Sequence, residues 1–250
     1  MATSAFQRYF AEFLGTFALL LFGVGTAEMT LNLSVVTDAR YLAISFAFGI
    51  VVMAGAFAFG EISGAHFNPA VTISMAVSGK MARADVLPYL IAQLLGALLG
   101  VDVVLTVAEG TAGRLLSLVQ QNALTSQAYA GNGVPAILGL NTSLGAVFVL
   151  EMVLTFFFVL IIHRVTREGS SAKAFAPVAV GFALFLTQLV AIPIDNASIN
   201  PFRSLAPALI SQVWTTSHWA IVEVWVFIVA PIVGGLLAAG VDYVLSSPKS

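Results

Sequence analysis

Ser63-Gly64-Ala65-His66-Phe67-Asn68-Pro69-Ala70-Val71-Thr72 contains an Asn-Pro step inside a glycine-led apolar stretch. Asn is a favoured helix cap and proline suits the first turn, so a helix is expected to start here. The run that follows, 68-78, is far shorter than the about 20 residues needed to cross a bilayer. The pattern returns at Ala197-Ser198-Ile199-Asn200-Pro201-Phe202-Arg203-Ser204, ahead of a second short run, 200-210. Paired short segments in corresponding places of two halves point to a membrane pathway built from half-helices.

Composition agrees. The 250 residues are 59% hydrophobic and only 9% charged, whereas a soluble domain has about 25% charged residues. An integral membrane protein is expected. The net charge of -2 gives no footing for a nucleic-acid partner. The absence of cysteine rules out disulfides and thiol chemistry. No metal cluster or phosphate-binding glycine loop appears, and neither does a Gly-x-Ser-x-Gly or His-Glu-x-x-His arrangement, so no cofactor, metal or enzyme activity is expected.

Six segments are long enough to span: 6-29, 40-59, 84-107, 142-164, 175-193 and 219-245. The first holds Glu12 and reads as a spanning helix rather than a signal peptide. The halves echo each other. Glu12 with Thr16-Phe17 matches Glu151 with Thr155-Phe156, and Gly100-Val101-Asp102 matches Gly240-Val241-Asp242. Three spans per half is an odd number, so the second copy enters the membrane upside down, as an inverted repeat. The fold class expected is all-α, with six transmembrane helices plus two re-entrant half-helices. It forms one domain over 1-250, with repeats of about 6-107 and 142-245 joined by an external loop, 108-141, that carries the Gly131-Asn132-Gly133 turn signal and Pro135. Arg8, Lys80, Arg83, Arg164, Arg167, Lys173 and Lys249 fall on one side, against Arg40 and Arg114 on the other. The positive-inside rule then puts both termini in the cytoplasm, most simply of a cell membrane. Asp102, Glu223 and Asp242 lie near span ends, where snorkelling or pairing suffices. His163 and His218 read as interface residues without a role.

The motif around Asn68, together with Ala11-Glu12-Phe13-Leu14-Gly15-Thr16, Pro231-Ile232-Val233-Gly234-Gly235 and the repeat, resembles the major intrinsic protein family of aquaporins and glycerol facilitators. The second motif departs from it, reading Asn-Pro-Phe where the family usually has Asn-Pro-Ala. The resemblance implies a channel, closest to the water-selective members, in a homotetramer with one pore per protomer. Asn68, Pro69 and Ala70 would face Asn200, Pro201 and Phe202 at mid-membrane. Two helix N-termini meeting there create a positive maximum that orients water and breaks proton hopping. Carbonyls of Gly64, Ala65, His66 and Phe67, and of Asn196, Ser198 and Ile199, would line the path. Glu12 and Glu151 would support the two loops, with a proton relay as the lesser reading.

Arg203 stands where the first half has Val71, and a buried cation that breaks a repeat is a functional signal. By resemblance it belongs to a selectivity filter with Phe48, Gln188 and Ala197. Gln188 replaces the His usual in water channels, and inter-helix hydrogen bonding is its other reading. Phe202 is expected in a helix-lined pocket rather than across the path. The leading expectation is a passive water channel that excludes protons and ions, with the bilayer and water as partners. The alternative is a channel for small uncharged solutes such as glycerol, urea or ammonia. A secondary active transporter is the third alternative, with Glu12 and Glu151 as its only coupling candidates.

Overall fold

The computed structural model describes residues 3–30, 37–112, 143–214 and 219–246. The Gly131-Asn132-Gly133 turn signal, Pro135, Arg114, His218 and Lys249 lie outside them. Among the described residues the regular structure is helical. The helices are α1 (Ala5–Ala18), α2 (Gly25–Thr30), α3 (Thr37–Ser63), α4 (Pro69–Val77), α5 (Val86–Ala112), α6 (Leu144–Val165), α7 (Ala176–Asp195), α8 (Pro201–Trp214) and α9 (Trp219–Ser246). Single 3-10 turns at Arg83–Asp85 and Lys173–Phe175 lead into α5 and α7.

A capping box starts the chain. The Ser4 hydroxyl accepts from Gln7 N at 3.2 Å, and Ser4 N donates to Gln7 Oε1 at 2.7 Å. A π-helical turn, Leu19–Val24, joins α1 to α2, so one apolar span covers Ala5–Thr30. Five further stretches are long and apolar enough to cross a membrane: Ala39–Ser63, Arg83–Val107, Leu144–Val165, Lys173–Asp195 and Ile221–Ser246. Six spans and two short helices reproduce the expected all-α architecture. The second short helix runs to Trp214, beyond the expected end at 210, and Pro207 lies inside it without ending it.

The spans pair across the bundle as α1 with α5, α3 with α7, and α6 with α9. The short helices cross over between halves: α4 packs on α9, and α8 packs on both α5 and α9. Glycine makes the close approaches possible. A Cβ on Gly96 would collide with the backbone of Phe13, and one on Gly234 with the backbone of Met152, at matching points of the two halves. At Gly235 a Cβ would lie 2.8 Å from Ala70 O, so α4 seats directly on α9.

The distribution of polarity is inverted relative to a soluble protein. Phe6, Phe57, Leu87, Leu186 and Val222 are exposed on the outside, while Glu12, Gln93, Glu151, Gln188, Asp195 and Arg203 are buried. Such a surface suits hydrocarbon, and the buried polar groups must find partners within the protein.

Candidate functional site

Two non-helical segments enter the bundle, 64–68 and 196–200, each ending at the cap of a short helix. Their backbones repeatedly adopt the left-handed region. Ala65 has φ 51° and Phe67 49°, while Ala197 has 53° and Ile199 59°. Each such non-glycine residue costs about 1–3 kcal/mol and persists only where its surroundings over-determine it. A buried carboxylate does so in each half. Glu12 Oε1 accepts from His66 N at 2.9 Å and Ser63 Oγ at 2.7 Å, and its Oε2 accepts from Phe67 N at 2.8 Å and Gln93 Nε2 at 2.7 Å. Glu151 accepts from Ser198 N and Ile199 N, both at 2.7 Å.

The two Asn side chains do two things at once. Asn68 Oδ1 caps α4 by accepting from Ala70 N at 2.9 Å, and Asn200 Oδ1 caps α8 by accepting from Phe202 N at 3.0 Å. Their amide nitrogens reach across. Asn68 Nδ2 donates to Ile199 O, and Asn200 Nδ2 donates to Phe67 O, both at 2.8 Å. The carbonyls of Phe67 and Ile199, placed by the sequence among the lining acceptors, thus each receive a hydrogen bond from the opposite motif. The Asn196 carbonyl accepts from Arg203 Nη2 at 2.9 Å. Each Asn amide keeps one further N–H, and both Asn side chains border a cavity between the segments.

That cavity also meets Phe48, His66, Gln188 and Arg203. Ala197 is buried beside it without being among its lining residues. Arg203 is 2% exposed, and its Cζ lies 5.1 Å from the Phe48 ring centroid, within cation–π range. A Cβ on Gly23 would overlap the Phe48 ring, so glycine there seats the phenyl. Gln188 Oε1 is buried with no protein hydrogen-bond partner among the described residues, and Gln188 lines the same cavity as Arg203. Phe202 is half-buried, packs against the main apolar core and does not line the cavity.

Three features escaped the sequence reading. His163 is fully buried rather than interfacial. Ser74 Oγ donates to Gly235 O at 2.7 Å, so it accepts from His163 Nε2 at 2.8 Å, and the bare Nδ1 faces Lys80 Nζ at 2.7 Å. Lys80 in turn bonds Asp242 at 2.7 Å, and Arg164 bonds it at 3.2 Å. This network ties α4 to α6 and α9, and a lone His in an apolar sequence gives no sign of it. The π turn is the second, and it delivers Leu19 to the cavity wall. The third is Asp195, fully buried at the end of α7, with Oδ1 accepting from Ala197 N at 2.9 Å.

His66 Nδ1 lies 3.1 Å from Thr72 Oγ1, whose proton goes to Asn68 O at 3.1 Å. The ring is held in the fold while its edge borders the cavity.

With this geometry in hand, comparison with known proteins gives a consistent picture. The sequence profile of the Major intrinsic protein family matches residues 1–242. A protein named Aquaporin Z from Rhodopseudomonas palustris (strain ATCC BAA-98 / CGA009) is 39% identical over 243 residues, covering 97% of this chain and 94% of that one. Another Aquaporin Z, from Bradyrhizobium diazoefficiens, is 38% identical over 237 residues, covering 95% and 92%. Among solved structures, the X-ray structure of the aquaglyceroporin from Plasmodium falciparum superposes with a TM-score of 0.79 at 25% identity, covering 97% of this chain and 98% of that one.

Proposed function

This chain belongs to the major intrinsic protein family, and from that premise we propose how its residues work. It is a passive transmembrane channel for water, not an enzyme. The observation that carries the reading is the reciprocal clasp of Asn68 and Asn200 at the heads of two half-helices beside one cavity. Each helix N-terminus carries about half a positive charge, and the two approach from opposite sides. A passing water is attracted by its oxygen to the remaining amide N–H groups, so it can donate outward but not accept along the file. Proton hopping needs both, and stops there.

Phe48, Gln188 and Arg203 form the filter in this proposal, with Ala197 packed behind it. Arg203 supplies fixed positive charge and several donors, which repel cations and hold water by its oxygen. Gln188 offers the opposing acceptor, and Phe48 the apolar wall. Carbonyls of Gly64, Ala65, His66 and Ser198 are the acceptors along the rest of the path. Glu12 and Glu151 hold the loops rather than relaying protons. Both termini face the cytoplasm of a cell membrane, and the protomers assemble as homotetramers.

A second reading, a channel for small neutral solutes, draws support from Gln188 in place of the usual filter His and from the likeness to an aquaglyceroporin. Stopped-flow light scattering of proteoliposomes separates the two. The expected outcome is fast water flux, slow glycerol flux and no ion current. Glycerol passage at the rate of a facilitator measured in parallel overturns the water-selective reading.

A further inference from the structure

Asp195 is a buried carboxylate that the proposed pathway does not use, and it sits directly behind the filter. It ends α7, and the next residue, Asn196, turns left-handed with φ 70°. Asp195 Oδ1 accepts from Ala197 N at 2.9 Å, a side-chain turn that pins the strained Asn196-Ala197 step. With that step fixed, the Asn196 carbonyl meets Arg203 Nη2 at 2.9 Å. The second carboxylate oxygen of Asp195, Oδ2, is buried with no protein hydrogen-bond partner among the described residues. Glu151 lies on the other side of the same loop, both oxygens bound by backbone N–H groups. Asp195 is joined through Asn196 to the carbonyl that Arg203 holds, and Glu151 holds the next residues of the loop, Ser198 and Ile199, so both acids back the segment that carries the arginine's partner. The filter arginine therefore stands among two buried acids, whereas the first half has Val71 at its place and a single acid, Glu12.

We propose that Asp195 is a positioning residue of the filter: it fixes the turn that presents the Asn196 carbonyl to Arg203, and its carboxylate, with that of Glu151, makes Arg203 the neutralising group of a site that otherwise attracts cations. The inference rests on the channel reading above. In it, Arg203 does more than repel. It cancels a negative background that the loop architecture itself introduces. Removing the arginine leaves a loop with acceptor carbonyls and two acids beside the path, the makings of a weak monovalent-cation site. Removing Asp195 as well takes away a large part of that attraction.

The test compares wild type, Arg203→Val, Arg203→Val with Asp195→Asn, and Arg203→Val with Asp195→Thr in proteoliposomes, reading potassium efflux per channel. Asn and Thr both keep a short oxygen that can hold Ala197 N, so the turn survives without the charge. The expected result is a potassium leak in Arg203→Val that falls about tenfold in each double variant, the scale of one charge acting through a part-polar interior. If one double variant fails to fold, as judged by its elution and melting in detergent, the other decides the outcome. A leak that is unchanged by loss of the charge overturns the inference, and so does an Arg203→Val channel that stays tight to potassium. Water flux through the wild-type vesicles is read in parallel. Its absence defeats the channel reading, whereas water flux with a leak indifferent to Asp195 defeats only this inference.

Discussion

The two re-entrant loops share a backbone course but not an environment. Both run through left-handed residues, both are held by a buried glutamate, and both end in an Asn that caps its own helix while bonding the other loop. Around the first, the neighbours are uncharged apart from Glu12: Ser63, Gln93, Thr72 and His66 close a hydrogen-bonded set in which Gln93 Nε2 bonds both Glu12 and Thr72. Around the second, Glu151 and Asp195 both hold loop N–H groups, and Arg203 holds the Asn196 carbonyl. The repeat supplies the geometry twice, and among the described residues only the second copy brings an arginine to the cavity. A fold built by repetition can thus keep one half as scaffold and let the other half specialise.

The sharpest way to break this comparison is through the glutamates. Glu12 holds four donors and Glu151 two. Each buried donor left without a partner costs about 1–3 kcal/mol. Glu12→Ala is expected to lose most of its folded protein and Glu151→Ala less, measured as melting in detergent. The reverse order would mean that the charged loop, not the neutral one, is the stability centre.

Phe202 tests the half-helices themselves, since Ala70 is its counterpart. With the ring half-buried against the core, Phe202→Ala is expected to lower stability by about 2–3 kcal/mol, below the range for a fully buried ring. Water permeability per channel should not rise. A several-fold gain would place the ring across the path and make the second half-helix a constriction.

The mildest perturbation concerns selectivity. Replacing Phe48 and Gln188 together with Ala is expected to raise glycerol permeability at least about tenfold, the scale on which pocket contacts discriminate substrates. Val71→Ala, at the place that matches Arg203 in the first half, should leave glycerol flux unchanged. Equal gains from both would show that selectivity is shared between the halves.

Most of the fold was legible because membranes impose strong rules. Span length, the two short runs and the echo of Glu12 in Glu151 sufficed for six spans and two half-helices. The motif residues were legible for the same reason, since Asn-Pro is a local signal. What escaped was long-range. Nothing near Asn68 announces that its amide will bond Ile199 O, and nothing near His163 announces Ser74 or Lys80. Asp195 was passed over because a single acid before a loop reads as an ordinary turn residue. Its significance depends on Arg203, eight positions on, folding back towards it. The π turn is invisible because Leu19–Val24 is as apolar as its surroundings.

The exchange of hydrogen bonds between the two loops, Asn68 to Ile199 O and Asn200 to Phe67 O, bears on how the protein is made. While the ribosome has released only the first half, the Asn68 amide and the Phe67 carbonyl have no mates, and the α4 helix lacks the α9 surface on which it rests. A half-synthesised chain therefore holds polar backbone at membrane depth with nothing to satisfy it except water or the insertion machinery. The first loop is best kept out of the hydrocarbon until the second arrives, and the two must dock as a single late event. A chain truncated before Asn200 cannot close the clasp.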